Sequence, residues 1–218
     1  MTSIIFRDQQ NIRIQENVKE LLNNQETFLS ASTAKSTRAI GDAIQDILGR
    51  CFGEMLGDIC VDYSAEFARR AMADMAFNCV DQNYYVVDVK THCEQTKFNM
   101  PNLISVERLA RFYQDDKNYF CLLIVKYSLD GTKIHVSEVL FIPLEFLHWE
   151  CLTIGALGWG QIQIANSNRI IIDDTQTRKQ WMLALCDVME EFYPKEISKI
   201  AERIGYFQKV REYWLAKE

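Results

Sequence analysis

Two apolar, β-prone segments on either side of a short polar turn constrain the fold of this chain most strongly. Residues 73–80 and residues 84–92 flank Asp81-Gln82-Asn83, and these three residues are of the types that tight turns favour. Segments of this kind joined by so short a turn are typical of a β-hairpin. The sequence therefore predicts a hairpin over residues 73–92.

Three charged side chains interrupt the apolar pattern of this hairpin. Successive side chains of a strand point to opposite faces, so Asp88 and Lys90 share a face. With a turn at 81–83, Asp74 lies across the hairpin from Lys90 and diagonal to Asp88, and the three groups are within reach of one small ligand. An Asp-x-Lys pair alone is more often an exposed ion pair. The position of Asp74 in a near-continuous apolar run favours a functional site, of the kind that binds a metal ion.

Composition and charge limit the class of protein. With 218 residues, 48% of them hydrophobic, the chain is long enough for one well-packed domain. Seven scattered cysteines without a Cys-x-x-Cys pair, and only three histidines, argue against a zinc site and favour free thiols in a reducing cytoplasm. We expect neither a signal peptide nor a membrane span. The net charge of −6 counts against a basic nucleic-acid-binding domain. Contacts to nucleic acid nevertheless depend on a local patch of charge and not on the net charge of the chain.

Helical periodicity before the hairpin predicts two helices, over residues 8–29 and residues 38–56. The Ser/Thr-rich segment 30–37 between them predicts a loop that ends in a helix cap. In the second helix, Asp42 and Asp46 lie four residues apart on one face. A solvated helix face is the simpler interpretation of this pair. The functional alternative is an auxiliary acidic group delivered to the hairpin.

The segment after the hairpin predicts a helix over residues 101–114, with Asn99 as a candidate cap. A buried strand follows at 119–127, and Asp130-Gly131 predicts a tight turn that returns the chain through 133–142. These elements together predict an α+β fold. Its centre is a mixed β-sheet, and helices flank the hairpin.

A glycine-rich loop precedes an alternating strand in the C-terminal half. The loop from Gly155 to Gly160 lacks the Gly-Lys-Ser/Thr of a phosphate-binding loop, so we interpret it as small residues that let the backbone approach a ligand closely. Gln161 and Gln163 share a face of the strand that follows. Alternation of this kind usually marks ordinary polar strand positions, but glutamine is also a residue type that reads adenine edges.

The C-terminal region predicts two helices. Thr177 opens the first, and Pro194 starts the second, whose lysines and arginines form either a solvated face or contacts to phosphates. The chain therefore divides into an N-terminal helix and loop at 1–37, a core at 38–173 and C-terminal helices at 177–218. We expect all three parts to form a single domain.

In this order the elements resemble the PD-(D/E)xK nucleases and, more closely, type II restriction endonucleases of the EcoRV-like, blunt-cutting branch. The resemblance rests on a set of short motifs: Asp74…Asp88-Val89-Lys90-Thr91, Gly41-Asp42, Pro101-Asn102-Leu103-Ile104-Ser105, Gln161-Ile162-Gln163 and Thr177-Arg178…Trp181. It extends discontinuously over about residues 38–193. Ala73 stands where the family motif has a proline, a position at which this branch often differs.

The resemblance implies a restriction-endonuclease-like core and a role for each motif residue. Asp74 and Asp88 are implied to bind Mg²⁺ together with the backbone carbonyl of Val89, and Lys90 to orient or activate the attacking water. An auxiliary acidic group is implied at Asp42 or Asp46. Base recognition is implied for the loops that flank the site, which contain Lys97, Asn99, Asn102, Gln161 and Gln163.

The function so implied is Mg²⁺-dependent hydrolysis of double-stranded DNA at a specific, palindromic site. The resemblance also implies a homodimer that leaves blunt ends and belongs to a restriction-modification system in the cytoplasm. Two other classes stay open. One is a DNA repair or recombination nuclease with the same centre and no sequence specificity. The other is a non-catalytic interaction protein in which the charges of the hairpin are surface charge only.

Overall fold

The computed structural model describes residues 3–25, 29–30, 33–65 and 73–217. The chain divides into two compact units, residues 1–175 and residues 176–218. The first unit contains α1 Ile4–Arg7, α2 Gln10–Asn23, α3 Thr37–Leu56, β1 Cys60–Ser64, β2 Met75–Cys79, β3 Tyr84–Cys93, β4 Asn102–Ser105, α4 Val106–Phe112, β5 Asn118–Asp130, β6 Lys133–Pro143, β7 Leu152–Gly155 and β8 Gln161–Ile164. The second unit contains one long helix, α5 Arg178–Leu215.

A mixed five-stranded sheet forms the centre of the first unit. Its strand order is β1-β2-β3-β5-β6, in which β3 and β5 run parallel and the other neighbours run antiparallel. A separate three-stranded antiparallel sheet has the order β4-β8-β7. The predicted α+β class and its central mixed sheet are therefore confirmed.

Helix α3 is the element that fixes the central hairpin from one side. It buries Ile40, Ile44, Leu48 and Phe52, which lie four residues apart on one face. These side chains belong to the same apolar core as Tyr85 of β3. A fully buried side chain of this size contributes about 1.5–3 kcal/mol, so α3 is held firmly against β3.

Helix α2 covers the edge strand β6. Gln15 Oε1 accepts a hydrogen bond from Phe141 N at 2.7 Å, and Asn23 Oδ1 accepts one from Val136 N at 2.8 Å. An edge strand exposes backbone groups that would otherwise pair with another chain. The two amide side chains accept hydrogen bonds from two such backbone groups and so protect this edge of the sheet from pairing.

The predicted hairpin is confirmed, but its register differs from the predicted one. Strands β2 and β3 pair antiparallel, with Met75 opposite Val87. This pairing brings Asp74 level with Asp88. The prediction that Asp74 lies opposite Lys90 is therefore wrong.

The turn between β2 and β3 accounts for the shifted register. Gln82 has a left-handed backbone conformation, with φ of 64°, which non-glycine residues rarely adopt. Its N–H donates to the Cys79 carbonyl at 2.9 Å, and Cys79 N donates to the Asn83 carbonyl at 3.0 Å. The turn consequently starts earlier than Asp81 and shifts the pairing by two residues.

The first predicted helix, over residues 8–29, corresponds to α2, which is shorter than predicted. The short helix α1 precedes it. Gln9, with φ of 56°, separates α1 from α2 because this conformation cannot continue a helix. Residues 26–28 of the predicted span lie outside the described residues. The second predicted helix, over residues 38–56, is confirmed as α3, and Ser36 caps it by accepting from Ala39 N at 3.3 Å.

The predicted helix over residues 101–114 is wrong in its first part, and Asn99 does not cap it. Residues 102–105 form β4 instead, because Asn102 pairs with Gln163 of β8. The helix begins only after Ser105, whose hydroxyl caps α4. A strand partner sixty residues further along the chain thus overrides the local proline signal.

The predicted strand and hairpin at 119–142 are confirmed as β5 and β6. Gly131 has φ of 61°, the left-handed conformation that an Asp-Gly turn requires. Strand β5 is buried over most of its length and lies parallel to β3. It therefore supports the strand that carries Asp88.

The two predicted C-terminal helices are one helix in the structure. Helix α5 continues through Pro194, which removes one backbone hydrogen bond and crowds the preceding turn without ending the helix. Thr177 opens α5 as predicted, in a reciprocal capping box with Gln180. Among the described residues, no helix is both long and apolar enough to cross a membrane.

Candidate functional site

Asp88 and Lys90 form a largely buried ion pair on β3. Lys90 Nζ donates to Asp88 Oδ1 at 3.0 Å and lies 2.9 Å from Oδ2. The second contact lacks hydrogen-bond geometry, so the buried Oδ2 accepts no hydrogen bond from the described residues. Asp88 is only 6% exposed. Oδ2 therefore contacts the Lys90 ammonium without accepting a hydrogen bond.

The environment of Asp88 disfavours its charge. Burial raises the pKa of Asp88, Lys90 partly offsets this effect, and the nearby Asp74 carboxylate adds to it, so that the pKa reaches about 7. A buried carboxylate whose pKa is raised by burial and by a second carboxylate is an arrangement seen in functional sites. A bound cation would remove this penalty.

Asp74 is held beside Asp88 by contacts from two different elements. Its Oδ2 accepts a hydrogen bond from Val89 N at 2.7 Å, and its Oδ1 accepts one from Gln45 Nε2 of α3. The N–H and the C=O of one strand residue leave the same edge of the strand. The Val89 carbonyl therefore lies on the same edge of β3 as the Asp74 carboxylate, as a backbone metal ligand would require.

A glycine allows α3 to approach this edge closely. A Cβ on Gly41 would lie 2.8 Å from Thr91 Oγ1, a distance that real Cβ atoms avoid. The approach brings Asp42 and Gln45 to the mouth of a cleft of about 220 Å³ that they share with Lys90. Helix α3 thus adds one acidic and one amide side chain to the site.

The structure distinguishes the two candidate auxiliary acids. Asp42 lines the cleft that contains Lys90. Asp46 lies one turn further along α3, where its carbonyl accepts from Arg50 Nε at 3.2 Å. Asp42 is therefore the better placed of the two.

The cleft continues into a second cavity of about 410 Å³. Thr37, Arg38 and Thr91 line both cavities, and Phe98 and Asn99 line the second one. The two together form a groove that runs from Lys90 past the N-terminus of α3 to the loop after β3. Arg38 and Gln45 were not predicted as site residues, since only the tertiary fold brings α3 to β3.

The loop after β3 is fastened by a distant turn. His92 Nε2 lies 2.9 Å from Asn168 Oδ1, and Asn168 Nδ2 donates to the Lys97 carbonyl at 3.0 Å. The Asn99 carbonyl accepts from Ser167 N at 2.9 Å. Lys97 and Asn99 are thus fixed through their backbones, and the Lys97 side chain is directed away from the buried core.

Asn102, Gln161 and Gln163 are brought together in the second sheet. Gln163 Nε2 donates to Asn102 Oδ1 at 2.5 Å, and Gln161 lies opposite Gly155 of β7. A Cβ on Gly155 would lie 2.8 Å from Gln163 Oε1, so this glycine leaves room for the amide. The loop that follows Gly155 exposes a large aromatic residue, Trp159.

The donor set on the hairpin fits a hard divalent cation. Asp74, Asp88 and the Val89 carbonyl supply oxygen atoms only, and Mg²⁺ prefers a few carboxylates completed by water and substrate oxygens. No group of three His, Cys, Asp or Glu side chains suited to a metal occurs in the described part of the chain. With two carboxylates and one backbone carbonyl, water and substrate oxygens would have to complete the coordination shell of a bound Mg²⁺.

A scan against protein-family models gives no match, and a search of curated proteins gives none either.

Proposed function

We propose that this protein is a type II restriction endonuclease with a restriction-endonuclease-like core, which hydrolyses double-stranded DNA at a specific palindromic site with Mg²⁺. The observation that carries the proposal is the buried Asp88 oxygen without a hydrogen-bond donor, which lies near Asp74 and contacts Lys90, a residue that lines an open cleft. A structural ion pair satisfies both oxygens of its buried carboxylate. A site that binds a cation keeps one of them available.

In this proposal the residues of the hairpin divide the work of hydrolysis. Asp74, Asp88 and the Val89 carbonyl would hold Mg²⁺, which would lower the pKa of a bound water and offset charge on the phosphate. Gln45 fixes the orientation of the Asp74 carboxylate through its hydrogen bond to Oδ1. Lys90 keeps a positive charge beside the attacking water, where negative charge develops in the transition state.

The groove beside the cleft is suited to the phosphates that flank the cut. Thr37 and Arg38 occupy the first turn of α3 and line both cavities. Backbone N–H groups at a helix N-terminus and a guanidinium both favour phosphate oxygens. Contacts of this kind position DNA without reading its sequence. They also provide a local basic element in a chain of net charge −6.

Base reading is assigned in this proposal to the amide pair of the second sheet and to the loop after β3. The bond from Gln163 Nε2 to Asn102 Oδ1 uses one donor and one acceptor of the pair, and the Gln163 carbonyl oxygen and the Asn102 amino group supply a further acceptor and donor. An acceptor next to a donor matches the edge of a base in the major groove. Gln161, Lys97 and Asn99 would extend this contact surface.

A palindromic site has twofold symmetry, and one active centre per chain then calls for two chains. The proposal therefore includes a homodimer that cuts both strands to blunt ends, as part of a restriction-modification system in the cytoplasm. Each copy would place its β2–β3 hairpin at one strand of the DNA.

The experiment that tests this proposal is digestion of phage DNA with and without Mg²⁺, followed by sequencing of the ends. Discrete fragments with one common terminal sequence support a restriction enzyme. Mg²⁺-dependent degradation without fixed ends supports the repair or recombination nuclease. Intact DNA under all conditions supports the non-catalytic interaction protein.

A matched ion pair elsewhere in the same sheet provides the control. Lys126 and Glu138 lie 2.5 Å apart on neighbouring strands, with Glu138 largely exposed. Glu138→Gln and Lys126→Ala should leave cleavage intact, whereas Asp88→Asn and Lys90→Ala should abolish it. Equal effects at both pairs would indicate a loss of folding instead of a loss of the site.

A further inference from the structure

The C-terminal half of α5 carries an exposed apolar stripe with a heptad repeat. Its members alternate at spacings of four and three residues, a period of 3.5. We call this stripe the seam, and it consists of Tyr193, Ile197, Ile200, Ile204, Phe207, Arg211 and Trp214. All but Arg211 are apolar or aromatic. The repeat begins at Tyr193 and so uses the part of α5 around and beyond Pro194.

The apolar members of the seam are strongly exposed. Ile197 and Phe207 are each 67% exposed, Trp214 is 66% exposed and Ile204 is 58% exposed. The seam spans 22 residues, about 33 Å of helix. A contiguous apolar stripe of this length on a water-exposed helix marks an interaction surface.

We propose that the seam pairs with the seam of a second copy of this chain as a two-stranded antiparallel coiled coil. A strict period of 3.5 residues is the pattern by which one helix interlocks its side chains with another. A stripe with this pattern is complementary to itself, so a second copy supplies the partner that it needs. The inference names the surface for the homodimer of the proposed function, and it rests on that proposal only for the expectation of two copies.

Charge decides the direction of the two helices. Parallel pairing in register would place Arg211 opposite Arg211 of the second copy, inside the seam, and like charges there destabilise the pair. In antiparallel pairing centred between Ile204 and Phe207, Arg211 lies opposite Ile200 of the second copy. The same register brings Glu196 beside Lys217 of the second copy at each end, an attraction between opposite charges.

The area of the seam is adequate for a specific dimer. With aromatic side chains of about 150–250 Å² each, the exposed seam amounts to roughly 500 Å² per copy. Two copies would then bury roughly 1,000 Å², the size at which specific interfaces begin. Leu215 and Val210 border the seam and would add to this area.

The same helix is less suited to a membrane surface. Residues 176–218 contain eight Lys and Arg and seven Asp and Glu, and the whole chain carries −6. Helices that lie on anionic lipid carry a clear excess of basic residues and a broad apolar face. The seam is narrow and its flanks are mixed in sign, so a protein partner fits it better.

The test is sedimentation of the full-length protein without DNA and without Mg²⁺, over a range of concentrations. Wild type should sediment as a dimer. Phe207→Glu should raise the dissociation constant at least tenfold. The matched control is Tyr206→Glu, because Tyr206 is 64% exposed but lies outside the seam, and this variant should remain a dimer. Circular dichroism verifies that both variants keep α5.

Charge exchange tests the direction of pairing. Glu196→Lys and Lys217→Glu should each weaken the dimer, and the double exchange should restore it, because in antiparallel pairing the two positions meet. A monomeric wild type overturns the proposal, as do a Phe207→Glu dimer of wild-type affinity and a wild-type monomer that binds phosphatidylserine vesicles. A dimer that does not cleave DNA would support the seam and contradict the proposed function. A protein that is monomeric without DNA but cleaves at a fixed site would contradict the seam and leave the proposed cleavage activity standing.

Discussion

Gly41 of α3 faces Thr91 of β3 so closely that a Cβ on the glycine would lie 2.8 Å from Thr91 Oγ1. This approach sets the distance between the helix that carries Gln45 and the strand that carries Asp88. The hairpin and the helix therefore form the site jointly, and a side chain at position 41 would require Thr91 or α3 to shift.

Gly41→Ala should clearly lower the rate of Mg²⁺-dependent cleavage and change the free energy of unfolding only slightly. Alanine improves the helix by about 1 kcal/mol, but its methyl group pushes α3 away from Thr91 and disturbs the bond from Gln45 to Asp74. Gly49→Ala in the same helix is the control, because its Cβ would meet Ala65 at an ordinary 3.5 Å. That variant should be more stable and fully active. A Gly41→Ala protein with wild-type cleavage would show that the close approach is dispensable.

Asp88→Asn should stabilise the protein in EDTA. The substitution keeps the shape of the side chain and removes a buried charge whose Oδ2 accepts no hydrogen bond within the described structure. We expect a gain of about 1–3 kcal/mol in the free energy of unfolding, measured by urea denaturation at neutral pH. Excess Mg²⁺ should reduce this difference by binding wild type alone. A destabilised variant would identify the Asp88–Lys90 pair as structural.

Asp81 should contribute a pH-dependent part of the stability. Partial burial raises its pKa, but hydrogen bonds from Ile4 N and Asn83 N together lower it by a larger amount. The pKa of Asp81 therefore lies below its ordinary value. A group with a lowered folded pKa stabilises above its unfolded pKa of about 3.9, and this contribution is lost as pH falls through the folded value. Wild type should therefore exceed Asp81→Asn in stability at pH 6. The difference should shrink as the pH falls below about 3.9 and through the lowered folded pKa of Asp81, and a constant difference would contradict the assignment.

Gln163→Ala should reduce discrimination between DNA sequences. A lost bidentate amide contact costs about 1–3 kcal/mol of discrimination, so binding to the cognate site should weaken far more than binding to unrelated DNA. Titration of both DNAs by fluorescence anisotropy in EDTA measures this ratio. Equal weakening on both would make Gln163 a packing or phosphate contact. Gln114→Ala is a matched control, since Gln114 is an exposed glutamine that follows the C-terminal end of α4, outside the surface assigned to base reading.

The sequence was sufficient to predict the hairpin, α3 and the pairing of β5 with β6. Each of these depends on local periodicity and on turn residues such as Gly131, which act within a few positions. The register of the hairpin was not predictable, because it depends on a left-handed Gln82, a residue type that carries no such signal.

The parts of the site that were not predicted depend on contacts between residues that lie far apart in the chain. Strand β4 forms because Asn102 meets Gln163, and the proline before it gives the opposite local signal. Arg38 and Gln45 join the site through the packing of α3, which no spacing in the sequence reveals. The proposed roles of Asp74, Asp88 and Lys90 follow from the motif, and their chemistry stays a prediction.

The most direct test compares cleavage and binding for Asp88→Asn and Lys90→Ala on the same specific DNA. Both variants should lose cleavage in Mg²⁺. In EDTA, Asp88→Asn should bind DNA at least as tightly as wild type, because one of the charges that repel the phosphate is gone. Lys90→Ala removes a positive charge and should bind no more tightly than wild type. Substantial Mg²⁺-dependent cleavage by Asp88→Asn would contradict the metal centre on which the proposed function depends.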